Sequence, residues 1–349
     1  MLSNQPYKLS KLGFDDSKPW GDTPKASAFF PAFQHEFKTP TPVESVGEVF
    51  LFSPLNKAPG KSFITNAITT VDYFTHWHGL SDSQKEGVFD CGALTAGITK
   101  YDIVPLFAKV IFASGPLSIQ LHDENHVEKG KFVSGKTEAW IALEDNVELI
   151  VGFKPGMKDP FMKEVDHFRS NYTTTQDIKA YFNFYTLNKG ESYLISPGTV
   201  HAILKGTIYE IQQPCNITKR VLDIEKNQPR HCDFSLDDDR DLYLYNTYFD
   251  NLPTKYEPNK NGFYHFDTPY FATQQLSKSQ PVCIKDSFSF IFCSDGALTI
   301  NADGFSEILI KGEVLLIPAN YNCSIDLTST SLGYISYLPP HFKDPFAEE

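Results

Sequence analysis

Apolar runs of four to nine residues, cut repeatedly by glycine and proline, recur along most of this chain, and that punctuation restricts it to short strands joined by tight turns. Such runs lie at 49–52, 104–112, 117–121, 138–143, 147–153, 192–195, 200–203 and 207–212, with Ala113-Ser114-Gly115-Pro116 as a clear turn between the second and third. A further series at 288–293, 297–300, 307–310 and 314–317 is divided by Gly296, Gly304 and Gly312. The 29 Phe and 17 Tyr strengthen the β reading, because aromatic side chains fit a pleated, half-buried surface.

One stretch changes period. Phe161, Val165 and Phe168 fall at i, i+4, i+7, and Ile178, Phe182 and Tyr185 repeat that spacing, which predicts two short amphipathic helices over about 158–186. The expectation is a mainly β chain of two small barrel units. The first, residues 1–275, carries the helical insertion; the second, residues 276–349, is smaller. No internal repeat establishes the duplication, and the second unit lacks the polar constellation of the first.

A formal net charge of −12 argues against a nucleic-acid surface, since backbone phosphates would meet a repulsive mean field. A small anionic ligand is different, because a few cations lining a cleft act at short range while distant charges are screened. The six cysteines form no C-x-x-C pair and read as free thiols in a reducing compartment. The start of the chain has no apolar core of a signal peptide, and no stretch approaches the roughly 18 apolar residues that span a bilayer, so the expectation is a cytoplasmic protein without membrane contact.

Ser118-Ile119-Gln120-Leu121-His122 alternates in polarity. In a strand, residues two apart share a face, so Gln120 and His122 can point into one cavity while Ile119 and Leu121 pack behind. Glu138 opens another strand and His201 follows the turn Pro197-Gly198-Thr199. Two imidazoles, a carboxylate and an amide oxygen suit Zn²⁺ and also Mn²⁺, Fe²⁺ or Co²⁺. Each residue alone is ordinary. The acidic run Asp237-Asp238-Asp239-Arg240-Asp241 lacks the spacing of a calcium loop and reads as a solvated turn.

The segments Pro116-Leu117-Ser118-Ile119-Gln120-Leu121-His122, Gly135-Lys136-Thr137-Glu138-Ala139-Trp140, Gly198-Thr199-Val200-His201-Ala202-Ile203 and Glu210-Ile211-Gln212-Gln213, leading into Arg220-Val221-Leu222-Asp223, occur in this order. Together they resemble the signature segments of the type I mannose-6-phosphate isomerases. The resemblance implies cupin-like β-barrels of the jelly-roll type and one zinc per chain on Gln120, His122, Glu138 and His201. It also implies a small phosphorylated sugar as substrate, interconverted between aldose and ketose through a cis-enediol, in a monomer or weak homo-oligomer. On that reading Arg220 is the cation over the developing enediolate, Lys136 is an acid, base or oxygen-holding group, and Ser118 and Lys109 are phosphate contacts. Spacing leaves the base open among Lys136, Glu48 and Glu210. Alternatives at the same residues are an isomerase of another sugar phosphate or a weakly active relative, an iron oxygenase, and a non-enzymatic sugar-binding protein. Two departures stand out: Asp123 and Glu124 follow His122 where the family commonly has proline, and Phe50 and Leu51 replace a Trp and a Glu.

Overall fold

The computed structural model describes residues 3–10, 12–37, 45–53, 76–96, 104–227, 230–256 and 266–342. Its largest sheet has eleven strands arranged as two layers. One layer runs in the order Thr254–Tyr256, Ser192–Ile195, Glu138–Ala142, His201–Gln212, Phe107–Ala113, Glu48–Phe52, Gly13–Asp15. The other contains Phe182–Leu187, Val147–Phe153, the same His201–Gln212 strand, Ile119–Leu121 and Lys219–Leu222.

The 12-residue strand His201–Gln212 is therefore common to both layers. Its first residues pair with Val147–Phe153 and, at His201, with Gln120. From Gly206 onward it pairs with Phe107–Ala113, and from Ile208 with Glu138–Ala142. At the changeover the register slips between Ile203 and Lys205, and Gly206 takes φ +122°, a region that a side chain would strain.

Strand alternation then sorts the chemistry. Ala108, Val110, Phe112, Tyr209 and Ile211 join an aromatic-rich core on the outer face of the first layer. Their neighbours Lys109, Ile111, Ile208 and Glu210 lie on the opposite face, toward the second layer. In the second layer Ile119, Leu121, Ala202 and Leu204 pack outward, beneath the helix Lys158–Ser170, whose Phe161, Val165 and Phe168 are buried in the same cluster. Between the layers lies an apolar patch including Ile111, Leu117, Trp140, Leu149, Val151 and Ile203.

The C-terminal region forms a six-stranded sheet and a four-stranded sheet that share a core containing Ile291, Leu315, Ile335, Leu298, Ile300 and Ile325. Tyr7–Lys8, from the start of the chain, forms one edge of the six-stranded sheet against Val314–Ile317. This sheet meets the outer face of the first layer through rings: Tyr209 lies 5.4 Å from both Phe292 and Tyr334, and Phe52 stacks on Phe290 at 5.6 Å. The Tyr209 hydroxyl also bonds Ser336 Oγ at 2.8 Å across that boundary.

Two expectations are corrected. The chain is mainly β, but among the described residues no sheet closes into a barrel, so the two cupin-like barrel, or jelly-roll, units are replaced by open, stacked sheets. The seven-strand path ends at Thr254–Tyr256 on one side and Gly13–Asp15 on the other, and these ends do not pair. Short strands with glycine turns are compatible with both closed and open architectures, and closure depends on pairing the outermost strands, which local pattern does not encode. The second predicted helix is also absent: Phe182–Leu187 is a strand antiparallel to Val147–Phe153. Its Phe and Tyr residues favour a strand, and the apolar spacing from Ile178 arose from one buried side chain in an otherwise largely exposed turn followed by that strand.

Replacing Gly206 with alanine would place a Cβ 2.8 Å from Val147 Cγ2 at a left-handed φ. Gly206→Ala is expected to lower stability by about 1–3 kcal/mol. Thermal melting checks this, and a variant melting at or above the parent temperature contradicts the role assigned to this residue.

Candidate metal centre

His122 immediately follows the strand Ile119–Leu121, His201 opens the shared strand, and Glu138 opens Glu138–Ala142. All three side chains are buried, and their ligating atoms lie within 4.8 Å of one another. His201 Nε2 stands 3.1 Å from Glu138 Oε1, and His122 Nε2 stands 3.6 Å from Glu138 Oε2.

The ring orientations are set by backbone carbonyls. His122 Nδ1 donates to Ile217 O at 2.8 Å and His201 Nδ1 donates to Thr199 O at 2.9 Å. A carbonyl only accepts, so each neutral ring carries its proton on Nδ1 and presents the Nε2 lone pair to Glu138. Burial keeps the rings neutral, pushing His201 down to about 4 and His122 well below the ordinary imidazole range. Burial also pushes the Glu138 carboxyl up, against the pull of Lys136. Both Glu138 oxygens and His201 Nε2 lack a well-aligned hydrogen bond. Lys136 Nζ, 2.7 Å from Glu138 Oε2 and 3.2 Å from His122 Nε2, offsets part of the charge. Buried acceptors aimed at one another are costly unless a cation joins them. The donor set, with carbonyl-anchored imidazoles, fits a divalent ion and zinc in particular.

Ion pairs extend from the centre, buried at every member except the half-buried Lys18. Lys18, Glu48, Lys109, Glu210, Lys136 and Glu138 follow one another at successive separations of 3.2, 2.5, 3.3, 3.2 and 2.7 Å. Register explains the order, since Glu210 lies directly across the strands from both Lys109 and Trp140. Trp140 Nε1 also donates to Glu210 Oε2 at 3.1 Å. Alternating signs make the row tolerable in a dry interior. Burial alone would raise the Glu48 carboxyl, but Lys109 and Lys18 hold it down at about 2. Lys109 is in turn held above the ordinary lysine range, with Glu210 and Glu48 outweighing burial.

A cavity beside the centre is lined by Ser118, Gln120, Lys109, Lys136, His201 and Arg220. It thus gathers residues that sequence singled out from widely separated segments, with His122 and Glu138 adjoining. Gln120 Oε1 accepts from Ser118 Oγ at 3.2 Å, and Gln120 lies opposite both His201 and Arg220 in the ladders. Arg220 is held from behind, donating to His231 O at 2.7 Å and to Asp233 Oδ2 at 3.3 Å. Lys109 is engaged by two carboxylates. Lys18 and Arg230 also line the cavity and escaped the sequence reading. Arg230 grips Asp223 through two contacts of 2.9 and 3.1 Å. It sits in a nonperiodic loop, and nothing local ties residue 18 to residues 48 and 109.

The acidic run 237–241 is a solvated turn only at its start, where Asp237 and Asp238 are exposed. Asp238 caps the helix Asp239–Tyr248 by accepting from Asp241 N at 3.0 Å, and Asp241 is buried, with its carboxylate bonded to Lys219. Arg240 of this helix pairs with Asp123.

Comparison with known proteins gives the following matches. Mannose-6-phosphate isomerase of Streptococcus mutans is 24% identical over 237 residues, covering 64% of this chain and 71% of that protein. Mannose-6-phosphate isomerase ManA of Bacillus subtilis is 30% identical over 132 residues, 36% of this chain and 39% of ManA. The B. subtilis protein GmuF is 30% identical over 131 residues, so the chain spans only 38% of its length. The crystal structure of a B. subtilis mannose 6-phosphate isomerase superposes with a TM-score of 0.63 at 20% identity, over 95% of this chain and 99% of that one. A Salmonella typhimurium phosphomannose isomerase variant gives 0.64 at 14% identity, over 97% and 100%. No family model matches the chain. Among the described residues no helix is long and apolar enough to cross a membrane.

Two outcomes follow from this geometry. Zinc should raise the melting temperature of metal-free protein, with about 2.7 kcal/mol of stabilisation at one hundred times Kd, and His201→Ala should lose that response. An equal shift in the variant contradicts the assignment. For Glu48 the folded pKa of about 2 lies below the ordinary 4.5, so its stabilisation is complete above pH 4.5 and is lost as pH falls through 2. Denaturation curves of the parent should lose about 3 kcal/mol over that window beyond the loss in Glu48→Gln; identical pH slopes contradict it.

Proposed function

Taking as premise a chain related in sequence and fold to the type I mannose-6-phosphate isomerases, we propose that it interconverts mannose 6-phosphate and fructose 6-phosphate. The observation that carries this reading is the buried His122, Glu138 and His201 cluster beside a cavity lined with Lys136, Arg220 and Ser118. Gln120 is the fourth ligand on this reading, and a zinc ion held there supplies Lewis-acid polarisation of the sugar oxygens.

The reaction moves one proton between C2 and C1 while the hydroxyl proton passes between O2 and O1, so no outside oxidant or reductant is needed. Lys136 and Glu210, 3.2 Å apart, form the pair suited to taking and returning the carbon-bound proton. Glu48 stands further along the row, paired with Lys109 and Lys18 and not with Lys136. The Arg220 guanidinium, anchored by the 231–233 loop, meets negative charge growing on the enediolate oxygens. Ser118 supplies a hydroxyl to the substrate, and Lys109 works through Glu210 and the cavity wall. Lys18 and Arg230 give the phosphate dianion cationic company. The enzyme works in the cytoplasm as a monomer or weak homo-oligomer, and the smaller C-terminal unit is taken to begin ahead of Phe266, since the strands Phe266–Asp267 and Ala272–Leu276 belong to its six-stranded sheet.

A coupled isomerase assay on mannose 6-phosphate, with elemental analysis of protein purified without chelator, tests the reading. The expected result is about one divalent ion per chain and activity that chelation abolishes; full activity in metal-free protein overturns it. Arg220→Ala is expected to lower kcat by about 10²- to 10³-fold with little change in KM and unchanged zinc content, since the contact strengthens mainly in the transition state. Arg220→Lys should rescue only part of the loss, lacking the bidentate geometry. A raised KM with normal kcat makes Arg220 a ground-state phosphate clamp instead.

A further inference from the structure

The segment following His122 is fastened on several sides. Arg240 embraces Asp123, with Nε 3.0 Å from each carboxylate oxygen and Nη2 also donating to Oδ1. The same Nη2 reaches Glu124 Oε1 at 3.3 Å, and the Tyr248 hydroxyl donates to Glu124 Oε2. Arg240 and Tyr248 stand near the two ends of the helix Asp239–Tyr248, so this helix spans both acidic residues.

The helix also touches the approach to His201. Gly198 takes φ +74°, and a Cβ there would fall 2.2 Å from Tyr248 Cβ, so the turn is seated directly against that ring. Gly198 N donates to His122 O at 2.7 Å, joining the turn to the first ligand's own backbone. Lys136 N donates to Asp123 O at 3.0 Å, and Asn125 Oδ1 accepts from Gly135 N at 2.7 Å and from Gln213 Nε2 at 3.1 Å. The lead-in to Glu138 is thereby tied to the same segment.

His122 lies one residue beyond its strand, so the sheet ladder does not fix it. Its ring direction depends on the Ile217 carbonyl and on the course of the chain through Asp123 and Glu124. A planar guanidinium on a carboxylate fixes orientation as well as charge. It also offsets two negative charges placed next to the ligand.

We infer that Arg240 and Tyr248 are positioning residues for the divalent-ion centre, and that the helix Asp239–Tyr248 is a brace setting His122 and His201 toward Glu138. The inference rests on the metal reading of that site. It assigns a purpose to Asp123 and Glu124, the residues that depart from the family pattern after His122.

Zinc affinity of the full chain, measured by competition with a chromophoric chelator, tests it, together with the visible spectrum of the Co²⁺-loaded protein. Arg240→Ala is expected to weaken zinc binding by about 10- to 100-fold and to alter the Co²⁺ bands, as loss of a residue that orients a ligand does. Arg240→Lys, which keeps the charge without the fork, and Tyr248→Phe, which removes one hydroxyl, should each weaken binding less. They carry the test if the alanine variant does not fold. Parental zinc affinity and an unchanged Co²⁺ spectrum in both Arg240→Lys and Tyr248→Phe, or in a folded Arg240→Ala, overturn the inference. A parent protein that binds no zinc overturns the metal reading itself, which separates the two failures.

Discussion

Two imidazole lone pairs and a carboxylate, buried within 4.8 Å of one another, are the interaction on which the remaining structure depends. Without a cation they are mutually repulsive, and desolvation makes the repulsion dearer. The surroundings respond in two ways. Carbonyls of Ile217 and Thr199 hold the rings in one tautomer, and Lys136 brings positive charge against Glu138. Lys136 then needs Glu210, Glu210 needs Lys109, and Lys109 needs Glu48, so one buried site propagates into an alternating row. Removing any interior member strands its neighbours, which makes the row a unit and not a set of separable pairs.

Such a row requires rigid backbone on every side, and stacked strands provide it. Alternation gives the first layer a charged inner face and an aromatic outer face with no extra elements. The outer face is covered by the C-terminal sheet through Tyr209, Phe52, Phe290 and Phe292. That contact keeps water from the backs of the same strands that carry Lys109 and Glu210. Among the described residues the C-terminal region contributes to neither the metal centre nor the cavity beside it, yet it closes the dry side of the sheet that does.

The sequence determined the local facts: period-2 alternation put Gln120 on one side of its strand and Ile119 and Leu121 on the other, and helical spacing marked Phe161, Val165 and Phe168. The ordered motifs, through their resemblance to the type I mannose-6-phosphate isomerases, also pointed to His122, Glu138 and His201. Tertiary structure decided what local pattern leaves degenerate. Whether the outer strands meet is a long-range pairing, and the described sheets stay open. Whether Phe182 and Tyr185 sit in a helix or a strand was settled by the free edge of Val147–Phe153. Arg230 and Lys18 reach the cavity, and Arg240 reaches Asp123 across 117 positions of chain. Hydrophobic periodicity reports only which face of an element is buried; which charge meets which depends on how distant elements are brought together, and that is fixed by packing.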